Sequence, residues 1–263
     1  MSTAFTLPDF VEKQELPKVK GRWSFSALMQ FEQCPYKYFV EQRLGHRGSS
    51  GPAAERGSKI HDECEHYITM VSNDTPSDKK VAAWIPELEE LRGMYADGQN
   101  LICEDEWAFD RDWGRVAWGS PDAWLRGKLD VFVKEGTSAH IMDWKTGRKF
   151  GNEMKHQQQG ILYAIMAFMI YPELEFARVE FLYLDQPYRT NLEQTYTRDQ
   201  ALMFLPNFEK RVHKMLTSEI KAFAPPLTLD GLPGYLQDWL KDPANHDHEN
   251  NPFTTPFYVS NVE

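Results

Sequence analysis

Apolar positions recur at helical spacing in the first part of the chain and at alternate positions in its middle. Residues 1–22 mix Pro, Lys and Glu without a period and read as an extended arm. Ser26 is then placed to cap a short helix through Leu28 and Phe31. Pro35 bends the path, and Tyr36, Tyr38 and Phe39 add aromatic core. Residues 45–57, rich in Gly and Ser with Pro52, read as a loop. A second helix is expected over about 58–71, and the polar stretch 72–80 with Pro76 as a loop. A third helix, about 81–96, carries Trp84, Leu88, Leu91 and Tyr95 on one face, with Pro86 in its first turns.

From Leu101 the period changes to two. Residues 102–110 and 113–118 form one expected hairpin. Residues 125–134 and 139–145 form a second, joined by Glu135, Gly136, Thr137 and Ser138. A helix follows over about 151–171, stopped by Pro172. Residues 176–184 read as a strand, and about 198–222 as a long helix that Pro206 kinks or starts later. The tail from Pro225 is Pro-rich and holds the polar run 246–251. Helices, a β-meander, a helix, a strand and a helix give an α/β chain with a mixed sheet.

The chain has 263 residues and a net charge of −10, with 41% hydrophobic and 13% aromatic residues. A chain of this size buries a core without staples. The acidic balance argues against a protein that coats nucleic acid non-specifically; it leaves room for a local basic groove, and acidic clusters suit divalent cations. The cysteines are Cys34, Cys64 and Cys103, an odd number with no CxxC pair. This predicts no disulfide framework and a reducing cytoplasm. Residues 1–10 lack a basic leader region, and the longest apolar run, 161–171, is too short to span a bilayer. No membrane association is expected.

The densest chemistry lies in the second hairpin. Asp143 and Lys145 share one face of their strand, about 6.6 Å apart, while Trp144 points to the other side, into a core. Asp130 stands 13 residues before Asp143 on the partner strand and can face it. Two converging carboxylates repel unless a cation bridges them, and hard oxygen ligands suit Mg²⁺ or Mn²⁺. A lysine beside such an ion can orient a water or offset charge on a phosphoryl transition state. The plainer alternative has both aspartates facing solvent, with Lys145 paired to one of them.

In chain order, Ser26-x-Leu28 is followed by Cys34-Pro35-x-x-Tyr38-Phe39, Gly57-x-x-x-His61, Gly127-x-x-Asp130, Asp143-Trp144-Lys145-Thr146-Gly147 and Gln159-x-x-x-Tyr163. This series resembles the PD-(D/E)xK nuclease superfamily, and within it the RecB-like exonuclease branch, over about residues 24–185. The resemblance implies a restriction-endonuclease-like α/β core, a central mixed β-sheet flanked by helices, with helical N- and C-terminal additions. It implies one nuclease domain over 23–224, with a helical insertion at about 58–100 and a C-terminal tail, 225–263, packed on the core. Asp130, Asp143 and Lys145 become the catalytic set. His61, Asp130, Asp143 and the Trp144 backbone carbonyl become the ligands of Mg²⁺ or Mn²⁺. Gln159 and Tyr163, four apart on one helix face, approach DNA, with Tyr able to stack on a base. Glu65 and either Glu104 or Glu106 could support the metal site.

Some features depart or distract. Pro121-Asp122 reads as a literal PD, but the Gly127 spacing favours Asp130. His61 and His66 are five apart, not the HExxH spacing of a zinc peptidase. Iron–sulfur members of the branch pair a cysteine near Cys34 with three more near the C-terminus; no cysteine follows Cys103, so no iron–sulfur cluster is expected and Cys34 reads as a buried thiol. His246 and His248 read as part of a solvated loop. The expected activity is metal-dependent hydrolysis of phosphodiester bonds from DNA ends, single-stranded or duplex. The setting is replication, recombination or repair in a phage or its host, alongside a helicase or recombination protein. No GxxxxGK[ST] P-loop occurs in the sequence. The alternatives are a DNA-end-binding module that does not cut, a zinc hydrolase built on the His-rich helix, and an acidic mimic.

Overall fold

A computed structural model describes residues 21–46, 48, 51–186 and 190–218. The arm at 1–20 and the tail at 225–263, with His246 and His248, lie outside the described residues. The elements are α1 (Phe25–Gln33), α2 (Pro35–Tyr38) with a π-helical turn (Phe39–Arg43), α3 (Pro52–Ile68), and a 3₁₀ turn (Val81–Trp84) leading into α4 (Ile85–Ala96). They continue with β1 (Leu101–Phe109), β2 (Arg115–Val116), β3 (Leu125–Glu135), β4 (Ser138–Lys145), α5 (Glu153–Ile170), β5 (Phe176–Tyr183), β6 (Asn191–Thr197), α6 (Arg198–Leu202) and α7 (Leu205–Thr217).

One six-stranded sheet runs in the order β2-β1-β3-β4-β5-β6. Among the six strands described, β4 and β5 are the pair that runs parallel, and α5 is the crossover between them, as a parallel pair requires. Trp144, Met142, Val131 and Val133 pack with Ile60, Cys64, Trp84, Leu88 and Leu91 of the α3–α4 region in one apolar cluster. Burying each large side chain of this kind contributes roughly 1.5–3 kcal/mol. Asp143, one position from Trp144, therefore takes the opposite face, where α5 lies. This is an α/β restriction-endonuclease-like arrangement, a mixed sheet with helices on its faces.

The described residues divide into two compact units, 21–25 with those within 51–213, and those within 26–48 with 214–218. The first holds the sheet and all the residues discussed as a site. In the second, Phe31 and Tyr38 meet edge to face at 5.6 Å, and Gln30 Nε2 donates to Glu41 Oε2 at 2.5 Å.

Several sequence expectations shift. α1 already includes Ser26, so Ser26 is not its cap. The expected loop 45–57 gives way to helix at Pro52, because Pro52 occupies the first turn, where its missing N–H costs nothing, and the Gly51 carbonyl accepts from Ala54 and Glu55. Gly57 is consequently buried inside α3. Tyr95, in the last turn of α4, is exposed although Leu88 and Leu91 on the same face are buried. Cys34 is half-buried and caps α2, its Sγ accepting the Lys37 N–H at 3.4 Å. β6 was not anticipated: it is an edge strand of mostly polar, half-exposed residues without apolar alternation. The long helix expected over 198–222 is two, α6 with its Thr197–Gln200 capping box and α7, which begins beside Pro206.

Candidate active site

The β1–β3 register pairs Cys103 with Val131 and Asp105 with Leu129, so the intervening Glu104 stands at the level of Asp130. The β3–β4 register runs to Val131 with Met142, and one further step sets Asp130 opposite Asp143. Glu104, Asp130 and Asp143 thus form a row of three carboxylates across three adjacent strands. Regular pairing lapses at both intervals of the row. Glu104 has φ +51°, a left-handed conformation uncommon for a residue with a Cβ. At the other interval the Asp130 carboxylate, not a backbone carbonyl, takes the Trp144 N–H, at 2.7 Å to Oδ2.

α3 brings His61 to this row. A Cβ on Gly57 would lie 2.9 Å from Thr146 Oγ1, so only glycine lets this turn of α3 approach the end of β4 so closely. One turn later His61 Nδ1 sits 3.2 Å from Asp130 Oδ1 and 3.9 Å from Glu104 Oε1. At the other end of the row, Lys145 Nζ lies 2.5 Å from Asp143 Oδ2 and 5.2 Å from the centre of the Phe181 ring. Lys128 Nζ pairs with Glu104 Oε2.

α5 supports Asp143 from below. Tyr163 Oη is 2.9 Å from Asp143 Oδ1 and 3.2 Å from the Lys128 carbonyl. A phenol has one proton to give, and the shorter, charged acceptor is Asp143. Gln159 Nε2 donates to Tyr163 Oη at 2.7 Å and reaches Asp143 Oδ1 at 3.4 Å. The ring expected to stack on a base is buried, its hydroxyl committed beneath a carboxylate. The structure places Tyr163 beneath Asp143, as a support of its carboxylate.

The other proposed members fall as follows. Glu106 is exposed opposite Lys128 and does not join the cluster; the carboxylate beside His61 and Asp130 is Glu104. Glu65, one turn after His61, is half-buried, and its charge acts on Lys128 and Cys103. Trp144 contributes its amide to Asp130. Sequence reasoning did not find the group behind Lys145: His156 stacks on Phe181 at 5.3 Å, with Nδ1 2.6 Å from the Tyr183 hydroxyl. Its signal was weak, a histidine in the polar first half of α5, among Lys155 and Gln157 to Gln159.

Burial, and after it the Asp143 charge, push the Asp130 carboxyl above its usual range. Burial opposes the charged form of His61, but the hydrogen bond and charge of Asp130, with those of Asp143 and Glu104, outweigh it and hold the imidazole above its ordinary value. Burial and the Asp143 charge hold the Tyr163 phenol well above the ordinary tyrosine range, so it is a neutral donor. His156 falls to about 4 through burial and the Lys145 charge.

Such a set fits a divalent cation. One ligand atom each from His61, Glu104 and Asp130 lie within 4.8 Å of one another, near the roughly 4.2 Å diameter of an octahedral sphere with about 2.1 Å bonds. Asp143 Oδ2 is buried and, apart from the Lys145 ammonium beside it, has no hydrogen-bond partner among the described residues. Three carboxylates and one imidazole suit Mg²⁺ or, with the nitrogen ligand, Mn²⁺.

A mixed sheet presenting two aspartates and a lysine, with a histidine from a flanking helix, defines a phosphodiester hydrolase of the nuclease class. The chain matches the PD-(D/E)XK nuclease superfamily over residues 22–226 and belongs to it. Among the solved structures that resemble it are two of low identity. The crystal structure of SSO0001 is 13% identical, with TM-score 0.38, and 87% of this chain and 89% of that one are covered. A candidate exonuclease from Eubacterium rectale is 12% identical, with TM-score 0.44, and 74% and 81% are covered. No curated protein sequence matches the chain. No helix among the described residues is long and apolar enough to cross a membrane.

Proposed function

We propose that the chain is a DNA exonuclease of the RecB-like branch, dependent on Mg²⁺ or Mn²⁺, that hydrolyses phosphodiester bonds from DNA ends. The observation that carries this reading is the carboxylate row Glu104–Asp130–Asp143, with His61 at one end and Lys145 at the other. His61, Asp130 and Asp143, with the Trp144 carbonyl and Glu104, would hold the ion. Bound there, it would supply Lewis-acid polarisation of the phosphoryl oxygen and would make a bound water more acidic than bulk water.

The chain's own residues do the rest. The Trp144 N–H fixes the Asp130 carboxylate on one oxygen and leaves the other toward His61. Tyr163 and Gln159 fix Asp143 in the same way, leaving Oδ2 for the site. Phe181 holds the Lys145 ammonium from below, so it can orient a water or offset charge gathering on the phosphoryl oxygens without reorganising. The surrounding process is replication, recombination or repair, alongside a helicase or recombination protein.

The test is digestion of end-labelled single- and double-stranded oligonucleotides with Mn²⁺, Mg²⁺ or EDTA, for wild type and Asp130→Ala. The expected result is a ladder from the end with metal, and none with EDTA or with the variant. Silence of the wild type with both metals on both substrates overturns the catalytic reading in favour of a module that grips DNA ends without cutting.

A further inference from the structure

The stretch 148–155 follows Lys145 by three residues and runs into the first turn of α5, the helix that carries Gln159. It is locally basic in an acidic chain: Arg148, Lys149 and Lys155 stand against Glu153, where the whole chain carries −10. Within it Phe150 is 80% exposed and Met154 70%. An isolated exposed apolar residue is ordinary on a protein surface. Two of them, four positions apart, among three cations and adjoining a phosphodiester site, form a pattern that points to a ligand with both charge and flat apolar surface.

The turn is anchored, not loose. Gly147 at φ +137° and Gly151 at φ +86° bracket it, in conformations that glycine adopts without strain, and the Gly147 carbonyl accepts from Gln186 Nε2 at 3.1 Å. Lys149 Nζ donates to the Asn191 carbonyl at 2.7 Å, Asn152 Nδ2 to the Arg148 carbonyl at 2.9 Å, and the Gly151 N–H to Glu153 Oε2 at 2.7 Å. Phe150 is thus held outward by a braced turn. Five residues of chain limit its Cα to about 18 Å from that of Lys145, roughly five stacked bases at about 3.4 Å each.

We propose that Phe150, supported by Met154, is a stacking platform for an unpaired base of a DNA strand whose backbone enters the site, with Arg148 and Lys155 meeting the flanking phosphates. This rests on the nuclease reading above. An aromatic face accepts any base and asks only that its π-face be free, which a single-stranded or frayed end provides and paired interior bases do not.

The test uses the full chain in EDTA at low salt. Fluorescence anisotropy reads binding of a labelled single strand and of the same backbone with its internal bases removed. Phe150→Ala is expected to weaken binding of the intact strand about tenfold and to leave the abasic strand within about twofold of wild type. Phe150→Trp restores the intact strand, and Arg148→Ala weakens both. Unchanged binding of the intact strand by Phe150→Ala, or equal loss on both strands, overturns the platform. An RNA strand of the same length bound more tightly than DNA by the wild type overturns the assignment to DNA. Hydrolysis of the labelled strand in Mn²⁺, read in parallel, separates the two proposals. Base-dependent loss without hydrolysis keeps the platform and overturns the nuclease; hydrolysis with unaltered Phe150→Ala binding overturns the platform alone.

Discussion

Tyr163 and Asp143 are joined by a 2.9 Å hydrogen bond in which the buried phenol donates to Oδ1 of a buried carboxylate. Removing the hydroxyl leaves that oxygen with only the long contact to Gln159, at 3.4 Å. A hydrogen bond to a charged group contributes about 1.5–3 kcal/mol. Tyr163→Phe is therefore expected to lower kcat by about tenfold or more, since about 1.4 kcal/mol is a factor of ten, while DNA affinity stays near wild type. A tyrosine stacked on a base would give the reverse, weaker binding with kcat retained. Steady-state rates with anisotropy titrations on the same preparations decide between them.

Asp130 gives a prediction in which stability and activity part. Its folded-state carboxyl is raised above the ordinary value of 3.8 by burial and by Asp143. A group whose folded pKa is raised binds its proton more tightly in the folded state, so stability is lost as pH climbs from 3.8 through the folded value. At neutral pH without metal the charged Asp130 is a liability. Asp130→Asn keeps an acceptor for the Trp144 N–H and removes the charge. Metal-free Tm at pH 7 should rise relative to wild type, and activity should vanish. Addition of Mn²⁺ at about 100 Kd should stabilise the wild type by about 2.7 kcal/mol and the variant far less. Thermal melts with and without EDTA check both; an Asn variant that melts lower than wild type in EDTA contradicts the repulsion.

The strands and helices near the site were legible because their residues face one way at a fixed period. Val131, Val133, Met142 and Trp144 alternate with Asp130 and Asp143, so the period alone put the carboxylates on a common face. Glu104 was harder. Choosing it over Glu106 requires the β1–β3 register and the left-handed kink at Glu104, neither of which leaves a local mark. The burial of Tyr163 was likewise invisible, since spacing four from Gln159 gives a shared helix face but not what that face meets. β6 was missed because an edge strand with two half-wet faces carries no apolar alternation.

Gly57 and Thr146 supply a test of how α3 is set. Alanine in mid-helix is intrinsically better than glycine by about 0.8–1.0 kcal/mol, so Gly57→Ala would stabilise α3 on propensity alone. Its methyl, however, would stand 2.9 Å from Thr146 Oγ1, on a short and stiff side chain. The contact is expected to win. α3 shifts outward, carrying His61 away from Asp130, and activity falls more than stability does. Thr146→Ala removes the obstructing oxygen, so the double variant should regain most of the activity and some of the propensity gain. A double-mutant cycle on kcat measures this, and additive losses would show that the two residues do not meet.

His156 sets a pH dependence of stability with a definite sign. Burial and the Lys145 charge lower its pKa from 6.5 to about 4. A histidine depressed in the folded state stays neutral there while the unfolded chain takes up a proton. Its contribution is therefore fully present above about pH 6.5 and is lost as pH falls from there toward 4, below which both states are charged. Glutamine at this position cannot titrate and keeps a polar group for the Tyr183 hydroxyl, now 2.6 Å from Nδ1. In EDTA, unfolding free energies across pH 7 to 4 should fall less steeply for His156→Gln than for wild type, with the two curves converging toward the acid end. Parallel curves across that range would mean that His156 titrates normally and is not held neutral against Phe181 and Lys145. In that case the variant should also leave the orientation of Lys145, and with it kcat, untouched.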